Sequence, residues 1–199
     1  MMNVKKIFLG ILFLVSVSLY SQDVSKALKV GDKAVDFTLK NAKGEEVTLY
    51  SLLEKGNVVM TWYRGGWCPY CNVALSQLQE KLPEFKSLNT TLVALTPELP
   101  DHSLSTQEKN NLEFEVLTDI NNQIARKYGV VFKLDDTTAK RYEQALHLSS
   151  RNGTNSSELP VPATYIIDKK GNIRYAFVNP DYKVRVNPEE VIEELKKIR

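Results

Sequence analysis

Cysteine and histidine are scarce in this chain, with two of each in 199 residues. A small domain stapled by disulfides carries more cysteines than that. A structural zinc site wants four ligands, and His102 and His147 stand apart in sequence from each other and from both cysteines. Excess charge of one sign is also lacking. The formal net charge is +2, and Lys5 and Lys6 account for it, so 24 basic residues face 24 acidic ones beyond position 21. Nothing suggests the basic stripe by which a protein grips nucleic acid. There is no internal repeat and no long low-complexity segment. Long apolar runs are missing except at 7–20, which falls short of the about 20 residues a membrane helix needs.

That one run follows Lys5 and Lys6 and ends at Ser21 before Gln22. A basic start, a short apolar stretch and a small residue at its end read as a secretory signal peptide over 1–21, cleaved after Ser21. No cysteine lies there to carry a lipid. The mature chain, 22–199, is then one domain of ordinary size without a membrane span, exported to a periplasm or outside the cell. In an exported chain, a lone close pair of cysteines points to redox work. A bridge between Cys68 and Cys71 closes a loop of only a few residues and restrains the unfolded chain little.

The pair sits in Trp67-Cys68-Pro69-Tyr70-Cys71. Upstream, Asn57-Val58-Val59-Met60-Thr61-Trp62-Tyr63 reads as a buried strand; downstream, Leu75, Leu78, Leu82 and Phe85 fall at helical spacing. The first thiol therefore occupies the N-cap of a helix, exposed, and the second lies one turn in. Orphan backbone N–H groups and the helix dipole favour a thiolate at Cys68, the expected nucleophile. Pro69 suits the first helical position, where an N–H would have no partner. Cys71 is placed to resolve whatever Cys68 attacks.

Along the rest of the chain, 35–39 and 46–49 form a hairpin over Asn41-Ala42-Lys43-Gly44, and 50–53 a single helical turn. The redox helix runs from about Pro69 to Leu88, kinked or split by Pro83. A strand at 91–96, a polar helix at 103–112, a strand at 115–118 and a helix capped by Asp119 and stopped by Gly129 follow. This alternation argues an α/β layered domain with mostly parallel core strands. Residues 135–158 break the rhythm, with helical character over 138–148 and a polar loop at 149–157. Two readings stand for this insertion: a segment with no chemistry, and a lid over the thiol. The strongest hairpin pairs 163–168 with 173–178 across Lys169-Lys170-Gly171-Asn172. Asn187-Pro188-Glu189-Glu190 opens a last amphipathic helix as N-cap, N1 proline and two acids.

With redox turn and terminal hairpin placed, the chain resembles the thioredoxin-fold alkyl hydroperoxide reductase and thiol-specific antioxidant (AhpC/TSA) group, in a peroxiredoxin-like branch. The likeness runs from Val30-Gly31-Asp32-Lys33-Ala34-Val35-Asp36-Phe37 to the final helix, and its most specific motif is Trp62-Tyr63-Arg64-Gly65-Gly66-Trp67-Cys68-Pro69-Tyr70-Cys71. It implies a thioredoxin-like α/β fold: a central mixed β-sheet flanked by helices, with an N-terminal β-hairpin. It also implies a cis-proline facing the thiols, at Pro162 or, failing that, Pro160, where freed backbone groups pair with substrate. Typical members carry a proline and a threonine seven and three residues before the attacking cysteine, and a distant arginine on the thiolate. Here those positions are Thr61 and Gly65, and Val161-Pro162-Ala163-Thr164 has no arginine. Arg64 is either the substitute cation or a surface arginine.

The resemblance implies a thioredoxin-dependent peroxidase-like enzyme without cofactor or metal. Its Cys68 and Cys71 are catalytic, and Trp67, Pro162 and Arg64 line the substrate site. A hydroperoxide substrate gives a sulfenic acid that Cys71 condenses with; a protein disulfide gives a mixed disulfide that Cys71 releases. Either way a thioredoxin-like dithiol must reduce the product. A non-enzymatic alternative is a binding module with a stable disulfide, using Trp62, Trp67 and Tyr70 as an aromatic rim; the other reading of these three is that they pack the core or shield the thiol.

Overall fold

A computed structural model describes residues 24–153 and 156–198; the signal peptide assigned to 1–21 lies outside the described residues. The strands are β1 (Thr38–Asn41), β2 (Glu46–Thr48), β3 (Asn57–Trp62), β4 (Thr90–Thr96), β5 (Glu115–Thr118), β6 (Val131–Lys133), β7 (Glu158–Pro160), β8 (Ala163–Ile167) and β9 (Ile173–Val178). The helices are α1 (Leu49–Lys55), α2 (Pro69–Glu80), α3 (Leu82–Ser87), α4 (Pro100–Lys109), α5 (Gln123–Lys127), α6 (Asp136–Leu146), α7 (Leu148–Asn152) and α8 (Pro188–Lys196).

Seven strands form one mixed sheet in the order β2-β1-β5-β4-β3-β8-β9. Only β3–β4 and β4–β5 pair in parallel, whereas β1, β2, β8 and β9 add antiparallel on the two sides. The expectation of mostly parallel strands therefore holds for the centre and not for the flanks. Each flank is a hairpin, and a short turn can join strands only antiparallel.

Period-two alternation splits the apolar side chains between two faces. Val58, Met60 and Trp62 of β3 enter one core with α1, α5 and the N-terminal arm, while Val59 and Tyr63 enter the other with α2, α3 and α8. Trp62 stacks with Tyr128 and Tyr165 at centroid distances of 5.0 and 5.9 Å, so it belongs to the core opposite the thiols rather than to a rim around them. On the thiol side, α2 contributes Leu75 and Leu78, α3 Leu82 and Phe85, and α8 Val191, Ile192 and Leu195. Each such side chain removed from water contributes roughly 1.5–3 kcal/mol, which anchors the helix that carries Cys71.

Proline and polar caps set the boundaries. Pro83 lies in the first turn of α3 and splits it from α2. Pro100 starts α4 earlier than expected because its ring suits a first turn. Asp119 takes the N–H groups of Ile124 and Ala125, but a 3-10 turn intervenes, with Asn121 and Asn122 at positive φ. Asn187 caps α8 by accepting from Glu189 N at 3.0 Å.

The insertion is more ordered than its composition suggests. β6 and β7 pair as an antiparallel ribbon, and α7 occupies part of the expected loop. Pro160 sits at the end of that ribbon opposite Val131, an edge position where a missing N–H is tolerated. Among the described residues no helix is long and apolar enough to cross a membrane.

Candidate active site

β3 ends at Trp62, and the chain passes through Arg64, Gly65, Gly66 and Trp67 into α2, whose N-cap is Cys68 with Pro69 in the first turn. Gly65 has φ +151°, where a Cβ would also overlap the Trp67 indole. A Cβ on Gly66 would overlap Thr106 Oγ1. The loop thus passes too close to its neighbours for any side chain at either position. Both edges of the Gly66 peptide are held: its N–H donates to Glu98 Oε2 at 2.9 Å, and its carbonyl accepts from Asn72 Nδ2 at 2.9 Å.

Glu98 is fully buried just past β4. Its Oε2 also accepts from Thr106 Oγ1 at 3.4 Å, and its Oε1 faces Arg151 Nη1 of α7 at 3.9 Å. Burial pushes its carboxyl above the usual range, against the pull of the Gly66 N–H and the Arg151 charge. Sequence reading overlooked this acid. The available signal was a lone carboxylate following an apolar strand through Thr96-Pro97.

The two thiols are free and both buried, Cys68 at 1% and Cys71 at 0% exposure. The expected exposed first thiol is therefore corrected. The N-cap position is as anticipated, but the Arg185 side chain reaches over both sulfurs, with Nη2 at 3.9 Å from Cys68 Sγ and 3.3 Å from Cys71 Sγ. The segment carrying Arg185 lies between β9 and α8, and no periodic pattern marks it.

The two sulfurs are tuned apart. Cys68 is lowered to about 6, chiefly by the hydrogen bond from the Cys71 thiol, with the charges of Arg64 and Arg185 outweighing part of the burial penalty. Cys71 is pushed up, first by burial and then by its hydrogen bond to Cys68. The arrangement favours the negative charge on Cys68 and the proton on Cys71.

Arg64 is only 3% exposed, which excludes a surface arginine. Its guanidinium lies 4.4 Å from the Tyr182 ring centre, 4.8 Å from that of Trp67 and 5.7 Å from that of Tyr142, and Nη2 donates to Tyr142 Oη at 3.1 Å. Tyr70 meets Tyr182 edge-on at 5.6 Å. Trp67 and Tyr70 thus group with Tyr182 around Arg64 beside the redox turn, and Trp62 does not.

Pro162 falls one residue beyond the Trp62–Ala163 pair, at the end of β3 where the redox loop begins. All described peptide bonds are trans, so the cis-proline at Pro162, and its fallback at Pro160, are corrected. The extended path from β7 into β8 is pinned in sequence, by Val161 N on Val130 O at 2.8 Å and Asn179 N on Pro162 O at 3.0 Å. Thr61, at the position of the missing proline, is buried and shares a hydrogen bond with Thr164 Oγ1 at 2.8 Å. Among the described residues no three potential ligands are grouped to hold a metal.

A mixed sheet with a dithiol at the head of its second helix defines a thioredoxin-like oxidoreductase. The AhpC/TSA family model matches residues 30–176, and the chain belongs to that family as a peroxiredoxin-like thiol oxidoreductase. Similar proteins include thiol-disulfide oxidoreductase ResA of Bacillus cereus, 25% identical over 92% of this chain and 88% of that protein. Peroxiredoxin Bcp of Escherichia coli is 25% identical over 85% of this chain and 96% of its own. The crystal structure of peroxidoxin BcpB from Mycobacterium tuberculosis superposes with a TM-score of 0.68 at 20% identity, over 86% of this chain and 99% of the other, and shares the fold.

Proposed function

We propose that this protein is an exported thiol-dependent peroxidase in which Cys68 attacks and Cys71 resolves. The observation that carries the reading is the opposed tuning of two adjacent sulfurs beneath one guanidinium: Cys68 held down, Cys71 held up, and Arg185 Nη2 within 3.9 and 3.3 Å of them. The Cys68 thiolate attacks one oxygen of a hydroperoxide. The S–O bond forms as the O–O bond breaks, leaving Cys68 sulfenic acid and an alkoxide that takes a proton to leave as alcohol. Arg185 and Arg64 stabilise the negative charge as it moves from sulfur to the departing oxygen. The Cys71 sulfur then attacks the sulfenic sulfur, water departs, and a Cys68–Cys71 disulfide remains. A thioredoxin-like dithiol returns both to thiols and is itself oxidised. Kinship with proteins named peroxiredoxin supports this substrate, and the leader-like composition of 1–21 supports export.

A second reading, protein disulfide exchange, is favoured by the two-residue spacing of the cysteines and by kinship with a protein named thiol-disulfide oxidoreductase. Rapid mixing of the reduced protein with a hydroperoxide, followed by tryptophan fluorescence and free-thiol titration, separates the two. Cys68-dependent thiol loss much faster than that of a free thiol at equal thiolate fraction is the peroxidase result. Slow loss with peroxide but rapid reduction of a model protein disulfide moves the activity to exchange. Inertness in both assays leaves the non-enzymatic binding module.

A further inference from the structure

Arg64 is a buried cation without a carboxylate. Among the described residues no acidic side chain lies within ion-pair distance of it, and its Nε has no hydrogen-bond partner. Glu98, the nearby buried acid, faces Arg151 instead. Three ring faces and the negative sulfur of Cys68 are what offset the desolvation of Arg64.

One of those rings comes from the insertion. Tyr142 projects from α6, a helix that buries none of its residues completely. α6 rests on the body through Ala139, Tyr142 and Leu146, against a small cluster of Leu134, Leu148 and Leu159 that Trp67 also joins. Tyr142 meets Trp67 edge-on at 5.6 Å. The helix is bounded by an Asp135 cap and by His147 in the left-handed conformation, φ 51°, so its ends are set by single residues rather than by burial. Such an element sits at the low end of local stability.

We propose that α6 is a lid whose Tyr142 positions Arg64 toward the Cys68 thiolate, and that the negative charge on that sulfur in turn keeps the lid closed. This rests on the reading above only in that Cys68 carries a thiolate. While the thiolate is present, Arg64 has an anion and α6 stays down. When peroxide oxidation and condensation with Cys71 turn it into a neutral disulfide, Arg64 and Arg185 are two cations around an uncharged bridge. A buried cation then gains by reaching water. Arg64 releases Tyr142 and α6 lifts from Trp67, the neighbour of Cys68, so that the flank of the disulfide beside Trp67 opens to the dithiol that must reach it. Reduction restores the charge and closes the lid.

The test is hydrogen exchange of the 136–146 amides in the full chain near neutral pH, for the reduced protein, the peroxide-oxidised protein, and Cys68→Ser and Cys71→Ser without oxidation. Reduced wild type is expected to be protected, and so is Cys71→Ser once it is held at a pH where its thiolate absorbance shows Cys68 ionised, since losing the Cys71 thiol removes the main hydrogen bond to Cys68. The oxidised protein and Cys68→Ser are expected to exchange roughly tenfold faster or more in this segment alone. Equal exchange in reduced wild type and Cys68→Ser overturns the coupling.

Positioning is read separately from the ultraviolet absorbance of the thiolate against pH. The charged and titratable groups facing Cys68 are Cys71 of α2, Arg64 of the loop and Arg185 before α8. Tyr142→Ala should move the Cys68 midpoint upward, and Tyr142→Phe, which keeps the ring, should recover most of the difference. An unmoved midpoint in folded Tyr142→Ala overturns the positioning role. Lid opening without peroxide reactivity would refute the peroxidase and leave the lid; reactivity without lid response would do the reverse.

Discussion

Arg185 Nη2 stands 3.3 Å from Cys71 Sγ and 3.9 Å from Cys68 Sγ, donating toward both sulfurs from a segment 117 positions away from Cys68. In the proposed cycle, one guanidinium beside two thiols favours the negative charge on Cys68 before attack and on either sulfur when the disulfide is reduced. Nη2 carries two N–H donors, one for each sulfur, held in fixed directions by the planar guanidinium, whereas an ammonium is a compact charge on a flexible stem whose donors are not pre-aimed.

Arg185→Met therefore raises the Cys68 midpoint and slows its thiol loss with peroxide at neutral pH by roughly tenfold, a change of about 1.4 kcal/mol. Arg185→Lys is expected to restore part of the midpoint but less of the rate. The check is the thiolate absorbance titration together with rapid-mixing kinetics. Wild-type values in Arg185→Met would remove Arg185 from the mechanism.

Stability of the reduced protein should depend on pH through the same thiol. The Cys68 value falls from 9.0 for a free thiol to about 6 in the folded chain. Between those values the unfolded chain binds the proton and the folded chain does not, so stability rises with pH across the window and is lost as pH falls through about 6. Cys71, pushed up, acts with the opposite sign: its contribution is complete below the free-thiol value and declines above it. Thermal melts of the reduced protein should thus rise in midpoint from about pH 6 to near pH 9 and fall beyond. Cys68→Ser should flatten the rise, and an equal rise in that variant would show that other groups cause it.

What the sequence disclosed follows the range of the interactions involved. Cys68 and Cys71 were legible because strand, N1 proline and apolar helix spacing are local signals. The β8–β9 hairpin and the Asn187 cap were legible for the same reason. Arg185 was not, because its tie to the sulfurs is made by sheet order, which brings the end of β9 beside β3 through β8. Of the two readings open for Trp62, rim or core, the structure takes the core, a choice set by which face of β3 the residue occupies, and one residue of register exchanges the faces. The insertion hid its ribbon because β6 and β7 are three residues each, too short for a periodicity to show. Pro162 carried an expectation transferred from the resemblance, and the local backbone pairing takes the trans path instead.

The seat of the redox loop gives the last prediction. Gly66 packs so closely on Thr106 of α4 that a Cβ would overlap Oγ1 and lie 3.1 Å from the Thr106 Cβ. Gly66→Ala must push the loop away from α4, straining the Gly66 N–H to Glu98 bond. Overpacking of this kind costs about 1–3 kcal/mol. Thr106→Ala removes the overlapping oxygen at the expense of the hydroxyl's hydrogen bond to His102 O at 3.0 Å and its longer one to Glu98 at 3.4 Å, and alone should cost about 1 kcal/mol. In the double variant the two changes should offset one another, with a coupling of about 1 kcal/mol and partial recovery of Cys68 reactivity. Urea unfolding of the four proteins, with the Cys68 reaction rate measured on each, supplies the cycle. Strict additivity in both readouts would mean that α4 does not seat the loop; recovery of stability without recovery of rate would mean that the loop's height above α4 leaves the thiolate unaffected.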